Sequence, residues 1–292
     1  MRVLVTGGTG FVGSHFLNQA MAAGYEIVAL RRPGARSRVP LLKEPEWLER
    51  PLDELREEDF DQVKVVVHLA AHSANVPYDT LENCLRWNVL APLRMAQVAH
   101  AAGVPRIIVA GSCFEYGRSA ERYEFVPTDA PLEPTASYPT SKAAASVAFI
   151  GFAQEKALSL SVLRIFQVYG PGELDSRFWP SLKRTAERDE DMPMSPGEQI
   201  RDFVHVEEVA RQFVEELAAN VPAGQPVIRN VGTGKPMSLR AFAEHWWSTW
   251  QAKGRLLIGA VPYRAGEVMR FVPKIPPKTS SCVHPIYESR DP

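Results

Sequence analysis

Hydrophobic and polar positions near the start of the chain follow the order strand, glycine turn, helix, strand. The β-branched run Arg2–Thr6 predicts a strand, and a glycine turn separates it from a helical pattern over Phe11–Ala23 that ends at Gly24. The apolar run Glu26–Leu30 predicts the next strand. This order is that of a βαβ unit, in which both strands run in the same direction.

The alternation continues through the middle of the chain. The pattern predicts strands at Val63–Leu69, Arg106–Ala110 and Ser161–Phe166, and helices at Thr80–Ala102 and Pro139–Leu158. Strands joined by helices form right-handed parallel crossovers. The sequence therefore predicts the α/β class, with a doubly wound parallel sheet of the Rossmann type that helices cover on both faces.

A less regular pattern begins after Gly172, where several prolines interrupt the chain before Arg201. One further helix is predicted at Leu239–Ala252, with Ser238 as its N-cap, because a serine hydroxyl can accept a hydrogen bond from the first turn. These shorter elements suit a second, smaller lobe.

The length of 292 residues corresponds to two domains of about 150 residues each. We expect residues 1–171, with about 200–232, to form a dinucleotide-binding domain. Residues 172–199 and 233–292 are expected to form a smaller C-terminal substrate-binding lobe. The stretch from Pro273 lacks periodicity and is expected to be loosely ordered.

The composition excludes several classes of protein. The chain is 45% hydrophobic and 23% charged, and 33 basic residues balance 34 acidic ones, so no bulk charge attracts nucleic acid or an anionic membrane. No apolar run approaches the about 20 residues of a membrane span, and a strand occupies the place of a signal peptide. Three scattered cysteines (Cys84, Cys113 and Cys282) are typical of reduced thiols. We therefore expect a cytoplasmic protein.

The glycine turn TGGTGFVG has the spacing of a dinucleotide site, with Gly7, Gly10 and Gly13 between a strand and a helix. Glycine is needed there because main-chain N–H groups must approach a pyrophosphate that a Cβ would obstruct. A tight strand–helix turn without a ligand is the alternative interpretation.

The end of the second predicted strand carries Arg31 and Arg32, where dinucleotide sites usually carry an acidic residue that binds the adenosine ribose. Guanidinium groups suit a 2′-phosphate, because they form charge-assisted and often bidentate hydrogen bonds. The sequence thus favours NADP(H), with NAD(H) possible. A solvated basic loop is the other interpretation.

Tyr138 and Lys142 are four residues apart at the start of a predicted helix, which places both side chains on one face. Alone, such a pair indicates little more than a surface helix. Ser112 follows the strand that precedes this helix, and ligands of doubly wound sheets bind outside the carboxyl ends of the strands. The three side chains are therefore candidates for one site.

Six segments, taken in order along the chain, resemble a known enzyme family: TGGTGFVG, HLAA (His68–Ala71), GSCFEYG (Gly111–Gly117), YPTSK, LRIFQVYGPG (Leu163–Gly172) and RDFVHVEEVA (Arg201–Ala210). Together they resemble the extended short-chain dehydrogenase/reductases, and within these the NAD-dependent epimerase/dehydratase group that acts on nucleotide sugars.

The resemblance implies a catalytic role for Ser112, Tyr138 and Lys142. Tyr138 would exchange a proton with a sugar oxygen while the nicotinamide exchanges a hydride with the adjacent carbon. Lys142 would lower the pKa of the phenol and bind the nicotinamide ribose, and Ser112 would hold the substrate oxygen.

The resemblance also implies binding residues. Those expected at the cofactor, besides Tyr138 and Lys142, are Gly7, Gly10, Phe11, Val12, Gly13, Arg31, Arg32, Asp53, Leu69, Ala70 and Ala71. Those expected at the nucleotide-diphosphate sugar are Asn88, Cys113, Phe114, Gln167, Arg201 and Arg264, with the two arginines on the diphosphate. A salt bridge to Glu267 is the alternative for Arg264.

The two positions after Ser112 discriminate between reactions within the family. Dehydratases of this family carry Asp-Glu there, and decarboxylating relatives carry Glu at the second position, whereas this chain has Cys113 and Phe114. These positions disfavour elimination and decarboxylation, and leave reduction and epimerisation.

The GSCFEYG segment resembles that of reductases that make deoxysugars from NDP-4-keto-6-deoxyhexoses, and Arg31 and Arg32 favour NADPH. The resemblance thus implies NADPH-dependent reduction of the 4-keto group of an NDP-4-keto-6-deoxyhexose. An NAD-dependent nucleotide-sugar 4-epimerase is the first alternative, and a non-catalytic NADP(H)-binding regulatory protein is the second.

Two further expectations concern metals and assembly. His68 and His72 flank the end of a strand without an obvious third ligand, so no metal site is expected. The family resemblance implies a homodimer, with Thr80–Ala102 and Pro139–Leu158 supplying the interface helices.

Overall fold

Seven parallel strands form the central sheet of the protein. A computed structural model describes residues 1–264 and 266–276. Its strands are β1 (Arg2–Thr6), β2 (Glu26–Arg31), β3 (Glu46–Glu49), β4 (Val63–His68), β5 (Arg106–Ser112), β6 (Ser159–Ile165), β7 (Gln167–Tyr169), β8 (Met192–Met194), β9 (Ile200–Arg201), β10 (Phe203–His205), β11 (Val227–Val231), β12 (Met237–Ser238), β13 (Leu256–Ile258) and β14 (Arg270–Phe271). Its helices are α1 (Phe11–Ala22), α2 (Leu81–Leu85), α3 (Ala91–Ala101), α4 (Ser137–Glu155), α5 (Phe178–Glu187), α6 (Val206–Leu217) and α7 (Leu239–Thr249).

The strand order of the large sheet is β11-β6-β5-β4-β1-β2-β3, and every neighbouring pair is parallel. The order reverses between β1 and β4, whose carboxyl ends are in register at Thr6 and His68. This is the switch point of a doubly wound sheet, where a ligand crevice opens. The predicted fold class is confirmed.

Each face of the sheet is buried under a different pair of helices, because side chains alternate between faces along each strand. Val3 and Val5 of β1 pack with Phe16 and Phe213, which belong to α1 and α6. On the other face, the intervening Leu4 belongs to a second cluster. That cluster contains Met95, Ala96, Ala99, Phe149, Phe152 and Ala153 of α3 and α4.

The helix predicted at Thr80–Ala102 contains an interruption. Between α2 and α3, residues Arg86–Leu90 form one π-helical turn. Pro92 stands at the start of α3 and has no N–H to donate to the Asn88 carbonyl, so the regular bonding pattern cannot continue there. The other predicted elements agree with the structure to within a few residues.

A smaller layer lies beyond the large sheet. Helices α5 and α7 pack together with β8 and β13 around the buried side chains of Leu182, Ala186, Met194, Ala243 and Trp247. The predicted N-cap is present, since the Ser238 hydroxyl accepts from the Ala241 N–H at 3.0 Å. Assignment of this layer to substrate binding stays a prediction.

The first residues of the C-terminal stretch are held in place, contrary to the expectation of loose order from Pro273. The Val126 N–H donates to the Val272 carbonyl at 2.7 Å, and the Lys274 N–H donates to the Val126 carbonyl at 2.9 Å. These main-chain bonds could not be inferred from the irregular local pattern. Residues 277–292, including Cys282, lie outside the described residues.

Candidate active site

The glycine turn after β1 is packed so closely that side chains on its glycines would overlap main-chain atoms. A Cβ on Gly13 would lie 2.0 Å from the Gly7 oxygen, and a Cβ on Gly7 would lie 2.5 Å from the Ala70 nitrogen. Gly10 is the N-cap of α1, so no side chain caps the first-turn N–H groups. These features fit the pyrophosphate of a dinucleotide at the helix N-terminus.

The segment predicted to flank the cofactor lies directly beside this turn. The Leu69 N–H donates to the Thr6 carbonyl at 3.0 Å, which draws Leu69–Ala71 against Gly7. Phe11 and Val12 occupy the first turn of α1 and are half-buried. The residues expected at the pyrophosphate end of the cofactor are thus brought together.

The two arginines after β2 differ in their surroundings. The Arg31 guanidinium donates to the Glu49 carboxylate of β3, at 2.6 to 2.8 Å, and lies over the Trp47 ring. Arg32 is exposed, and its side chain has no hydrogen bond or ion pair with the described residues. Of the two arginines predicted to bind a 2′-phosphate, Arg31 pairs with a carboxylate of the protein and Arg32 does not.

Asp53, predicted to bind the cofactor, lies in a 3-10 turn, Leu52–Glu54, just beyond the carboxyl end of β3.

The predicted catalytic side chains lie at the junction of β5 and α4. Tyr138 and Lys142 share one face of α4 and are 7% and 4% exposed. The Lys142 ammonium donates to the Ala110 carbonyl of β5 at 2.7 Å. Ser112 ends the same strand, and its hydroxyl oxygen accepts from the Phe114 N–H at 3.2 Å. The bond from Lys142 to Ala110 therefore holds the start of α4 against the carboxyl end of β5.

Burial dominates the electrostatics of this junction. Burial is the main cause that raises the pKa of its phenol, and the Glu115 carboxylate raises it further. Burial also lowers the pKa of Lys142, which Glu115 opposes. The pKa of Tyr138 in the protein alone is therefore raised overall. The lowering of this pKa by Lys142 stays a prediction.

The site is buried enough to hold its neighbouring histidine neutral. His68 ends β4, and burial followed by the charge of Lys142 lowers its pKa to about 3. Its Nδ1 shares a hydrogen bond with the Thr6 hydroxyl at 2.7 Å. His72 instead bonds to Asp79 at 2.7 Å. Among residues 1–264 and 266–276, no three His, Cys, Asp or Glu side chains are grouped to hold a metal ion.

Of the two arginines predicted to bind the diphosphate, Arg201 is buried and Arg264 is exposed. Arg201 donates to the Glu267 carboxylate at 2.5 Å, so the alternative pairing of Arg264 with Glu267 is wrong. Glu267 lies three residues before β14, which pairs in parallel with the strand β9 that carries Arg201. This strand pairing brings the two side chains together, and local sequence does not reveal it.

The other predicted substrate residues fall into two groups. Cys113 and Phe114 follow Ser112, and the Phe114 ring meets Phe271 edge-to-face at 5.7 Å. Gln167 begins β7 and is half-buried. The Asn88 amide is engaged within the protein, since it bonds to the His72 main chain and donates to the Ser141 hydroxyl at 2.9 Å. That engagement holds the loop after β4 against α4.

Two residues that the sequence analysis did not identify lie beside Tyr138. The Tyr78 ring packs over the Tyr138 ring at 5.6 Å. Arg177, at the N-cap of α5, lies close enough for its charge to lower the pKa values of Tyr78, Cys113 and Tyr138, against the effect of burial. The one available signal was that Tyr78 follows the carboxyl end of β4, where ligands of such sheets bind.

The comparison with known proteins decides the family. The model of the NAD dependent epimerase/dehydratase family matches residues 3–232. The chain belongs to this family. The predicted resemblance to extended short-chain dehydrogenase/reductases that act on nucleotide sugars is thereby confirmed.

Individual family members resemble the chain over almost its whole length. CDP-abequose synthase of Salmonella muenchen is 25% identical over 278 residues, which cover 92% of this chain and 87% of the relative. The dTDP-6-deoxy-L-talose 4-dehydrogenase (NAD(+)) of Aggregatibacter actinomycetemcomitans is 25% identical over 277 residues, covering 92% and 98%. The solved structure of MoeE5 in complex with UDP-glucuronic acid and NAD has a TM-score of 0.81 at 29% identity, and the match covers 94% of this chain and 90% of the MoeE5 chain.

In the part of the present chain that the structure describes, no helix is long and apolar enough to cross a bilayer.

Proposed function

We propose that the protein reduces the 4-keto group of an NDP-4-keto-6-deoxyhexose with NADPH. The observation that carries this proposal is the junction of β5 and α4, where Tyr138 and Lys142 are buried beside Ser112 while the two following positions carry no carboxyl group. The chain therefore has a proton donor and a cation at the site, but lacks the acid and base pair that an elimination needs.

The state of Cys113 supports reduction over elimination. Burial raises the pKa of its thiol to about 12, so it stays protonated at neutral pH and cannot serve as a base in place of a carboxylate. Phe114 has no ionisable group. The raised pKa of Tyr138 likewise keeps its phenol protonated, which is the form that donates a proton to a carbonyl oxygen.

The names of two relatives support the substrate class. The dTDP-6-deoxy-L-talose 4-dehydrogenase acts at position 4 of a 6-deoxyhexose nucleotide. Run in reverse, a 4-dehydrogenation is a 4-ketoreduction. CDP-abequose synthase is a second relative that makes a sugar nucleotide.

Each residue of the site has a role in the proposed reduction that follows from its chemistry. The glycine turn and Leu69–Ala71 fit the cofactor, which when bound supplies the hydride for reduction. The Ser112 hydroxyl positions the C4 oxygen, and the Tyr138 hydroxyl gives that oxygen its proton. Lys142 carries a positive charge where negative charge develops on the oxygen. The exposed Arg264 binds the diphosphate through its forked N–H groups, and Arg201 joins it by exchanging its bond to Glu267 for one to the diphosphate.

A second candidate function is NAD-dependent 4-epimerisation of a nucleotide sugar, and a specific observation favours it. Glu49 already pairs with Arg31, which leaves fewer guanidinium groups for a 2′-phosphate. The solved structure of MoeE5 contains NAD, and the relative from Aggregatibacter is named for NAD(+). Both support NAD rather than NADP.

One assay distinguishes these functions. The purified protein is mixed with NADPH or NADH and a 4-keto-6-deoxyhexose nucleotide, and the loss of nicotinamide absorbance is followed while products are separated by chromatography. Consumption of NADPH with formation of a 4-hydroxy product supports the reductase. Epimer formation from a UDP-hexose without net cofactor consumption supports the epimerase. Tight NADP(H) binding without turnover of any sugar nucleotide would indicate the regulatory alternative.

A further inference from the structure

Glu115 lies inside the GSCFEYG segment but does not face the substrate side of the site. Its side chain is fully buried, and its carboxylate Oε1 accepts from the Ser112 N–H at 2.7 Å. Its Oε2 accepts from the Ser146 hydroxyl at 2.7 Å and from the Arg164 Nε at 2.8 Å. One carboxylate thus joins the end of β5, the helix α4 and the strand β6.

The surroundings are shaped for this carboxylate. A Cβ on Gly111 would lie 2.8 Å from the Glu115 Oε1 and 2.9 Å from the Arg164 Cγ, so the pair occupies space that only a glycine leaves open. Arg164 is itself buried, donates to the Thr128 carbonyl at 3.0 Å and lies over the Tyr116 ring. Hydrogen bonds to Ser112, Ser146 and the Thr128 carbonyl therefore restrict the geometry of this buried ion pair.

We propose that Glu115 is a positioning residue, whose carboxylate fixes the Ser112 main chain relative to the helix that carries Tyr138 and Lys142. The inference rests on the proposed function, because it concerns how Tyr138, the proton donor, and Ser112, which positions the substrate oxygen, are held relative to each other. Ser146 follows Lys142 by one helical turn, so the hydroxyl that Glu115 binds lies on the Lys142 face of α4.

The charge of Glu115 also affects both ends of the proposed catalytic pair. It raises the pKa of Lys142 against the effect of burial and raises that of Tyr138 together with burial. The other groups that act on Tyr138 are Tyr78, Cys113 and Arg177, and Lys142 in turn acts on His68. Removal of the Glu115 charge alone should therefore shift the Tyr138 pKa downward.

The chain offers a matched control for this arrangement. Glu216, at the end of α6, is also a buried carboxylate that accepts from a buried serine, Ser161, at 2.7 Å and from the Arg229 Nε at 2.9 Å. Ser161 lies on β6 four residues, or about 13 Å, before the carboxyl end of the strand, and three residues, or about 10 Å, before Arg164 of the Glu115 cluster. The two clusters differ in their arginines, because the Arg164 side chain is buried whereas the Arg229 side chain is 47% exposed. Glu216 therefore controls for the loss of a buried carboxylate that is bonded to a buried serine.

The experiment compares Glu115→Gln with Glu216→Gln, and Ser146→Ala with Ser161→Ala. For Glu115→Gln we expect kcat to fall about 10- to 100-fold with KM nearly unchanged, because Ser112 would shift relative to Tyr138 and Lys142. The alkaline limb of the kcat profile should move to lower pH, which a loss of packing alone would not cause. Ser146→Ala should lower kcat about 2- to 10-fold. The two control variants should lose stability but keep kcat and the pH profile.

A second measurement does not depend on turnover. Amide hydrogen exchange of peptides covering Ser112–Tyr116 and Tyr138–Lys142 should accelerate together in Glu115→Gln and stay unchanged in Glu216→Gln. If both glutamate variants lose kcat equally without a shift of the pH profile, or if exchange changes equally in both, the positioning role is refuted while the proposed function stands. If the wild-type protein turns over no sugar nucleotide, the proposed function fails, and the exchange comparison still decides whether Glu115 couples the two segments.

If Glu115→Gln does not fold, Ser146→Ala carries the comparison, because it removes one bond and leaves no buried charge unpaired. An unchanged kcat and unchanged exchange in Ser146→Ala would then overturn the inference.

Discussion

The ring of Tyr78 lies over the ring of Tyr138, with 5.6 Å between their centroids and 31° between their planes. Tyr78 is held there by the loop after β4, which is fastened through the bond from the Ser137 hydroxyl to the Asp79 carbonyl at 2.7 Å. The contact places a second aromatic side chain beside the proposed proton donor. It also contributes to the raised pKa of the Tyr138 phenol, after burial and Glu115.

Replacement of Tyr138 by Phe removes the proposed proton donor and retains the ring that packs against Tyr78. We expect kcat to fall about 100- to 10,000-fold, the usual contribution of a positioned acid or base. Cofactor affinity, measured by titration, and the midpoint of thermal unfolding should change little. Unimpaired turnover by Tyr138→Phe would rule out the proposed catalytic role.

The glycine turn should tolerate no side chain at Gly13. Because a Cβ there would lie 2.0 Å from the Gly7 oxygen, Gly13→Ala should open the turn, destabilise the protein by about 1–3 kcal/mol and abolish tight cofactor binding. The control is Gly151→Ala in α4, where no atom lies within 4 Å of the added Cβ. That variant should gain about 0.5–1 kcal/mol in urea unfolding, with cofactor binding retained.

The preference for NADPH over NADH should depend on Arg32, because Arg31 already forms an ion pair with Glu49. Arg32→Gln should raise the Kd of NADPH about 10-fold or more, the effect of one lost charge-assisted bond, and leave the Kd of NADH within about 2-fold. Arg188→Gln removes the same charge at an exposed position after α5 and should change neither. Equal affinities for both cofactors in the wild type and in Arg32→Gln would contradict the NADP prediction.

The stability of the protein should fall as the solution becomes more alkaline, because of Glu173. This carboxyl is 9% exposed, its Oε2 is without a hydrogen-bond partner among the described residues, and burial raises its pKa from 4.5 to about 7. The folded state therefore binds the proton more tightly than the unfolded state. The stabilisation is complete below pH 4.5 and is lost as the pH rises through 7.

Urea unfolding between pH 5 and pH 8 should show this effect as a decrease of about 2 kcal/mol in the unfolding free energy. Glu173→Gln cannot titrate, so its unfolding free energy should change less over the same range. Parallel profiles for the two proteins would exclude Glu173 as the source.

Exposed apolar side chains on the helices at 81–101 and on α4 support the homodimer that the family resemblance implies. Leu90 is 64% exposed and Val147 is 61% exposed. We propose that a second copy of the chain covers them, so that Val147→Asp should halve the mass measured by light scattering. Leu42→Asp, at an 85% exposed leucine outside these helices, should leave the mass unchanged. A monomeric wild-type protein would refute the dimer.

Much of the fold was predictable because its signals are local. The hydrophobic run Arg2–Thr6, the glycine spacing and the helical periodicity each report on neighbouring residues, and the order of elements then implies a parallel sheet. The edge strand β3 was missed, since Glu46–Glu49 contains two glutamates and no apolar run. Its absence from the prediction also concealed the carboxylate that pairs with Arg31.

The amino-acid sequence by itself determined the fold class, the dinucleotide turn and the pairing of Tyr138 with Lys142 on one helical face, because these depend on spacings of a few residues. Tertiary structure alone decided that Glu115 binds Arg164, 49 residues away, and that Arg201 rather than Arg264 binds Glu267. It also decided the direction of the Tyr138 pKa. Desolvation and ion pairing arise only when distant segments pack together, so no local pattern can encode them.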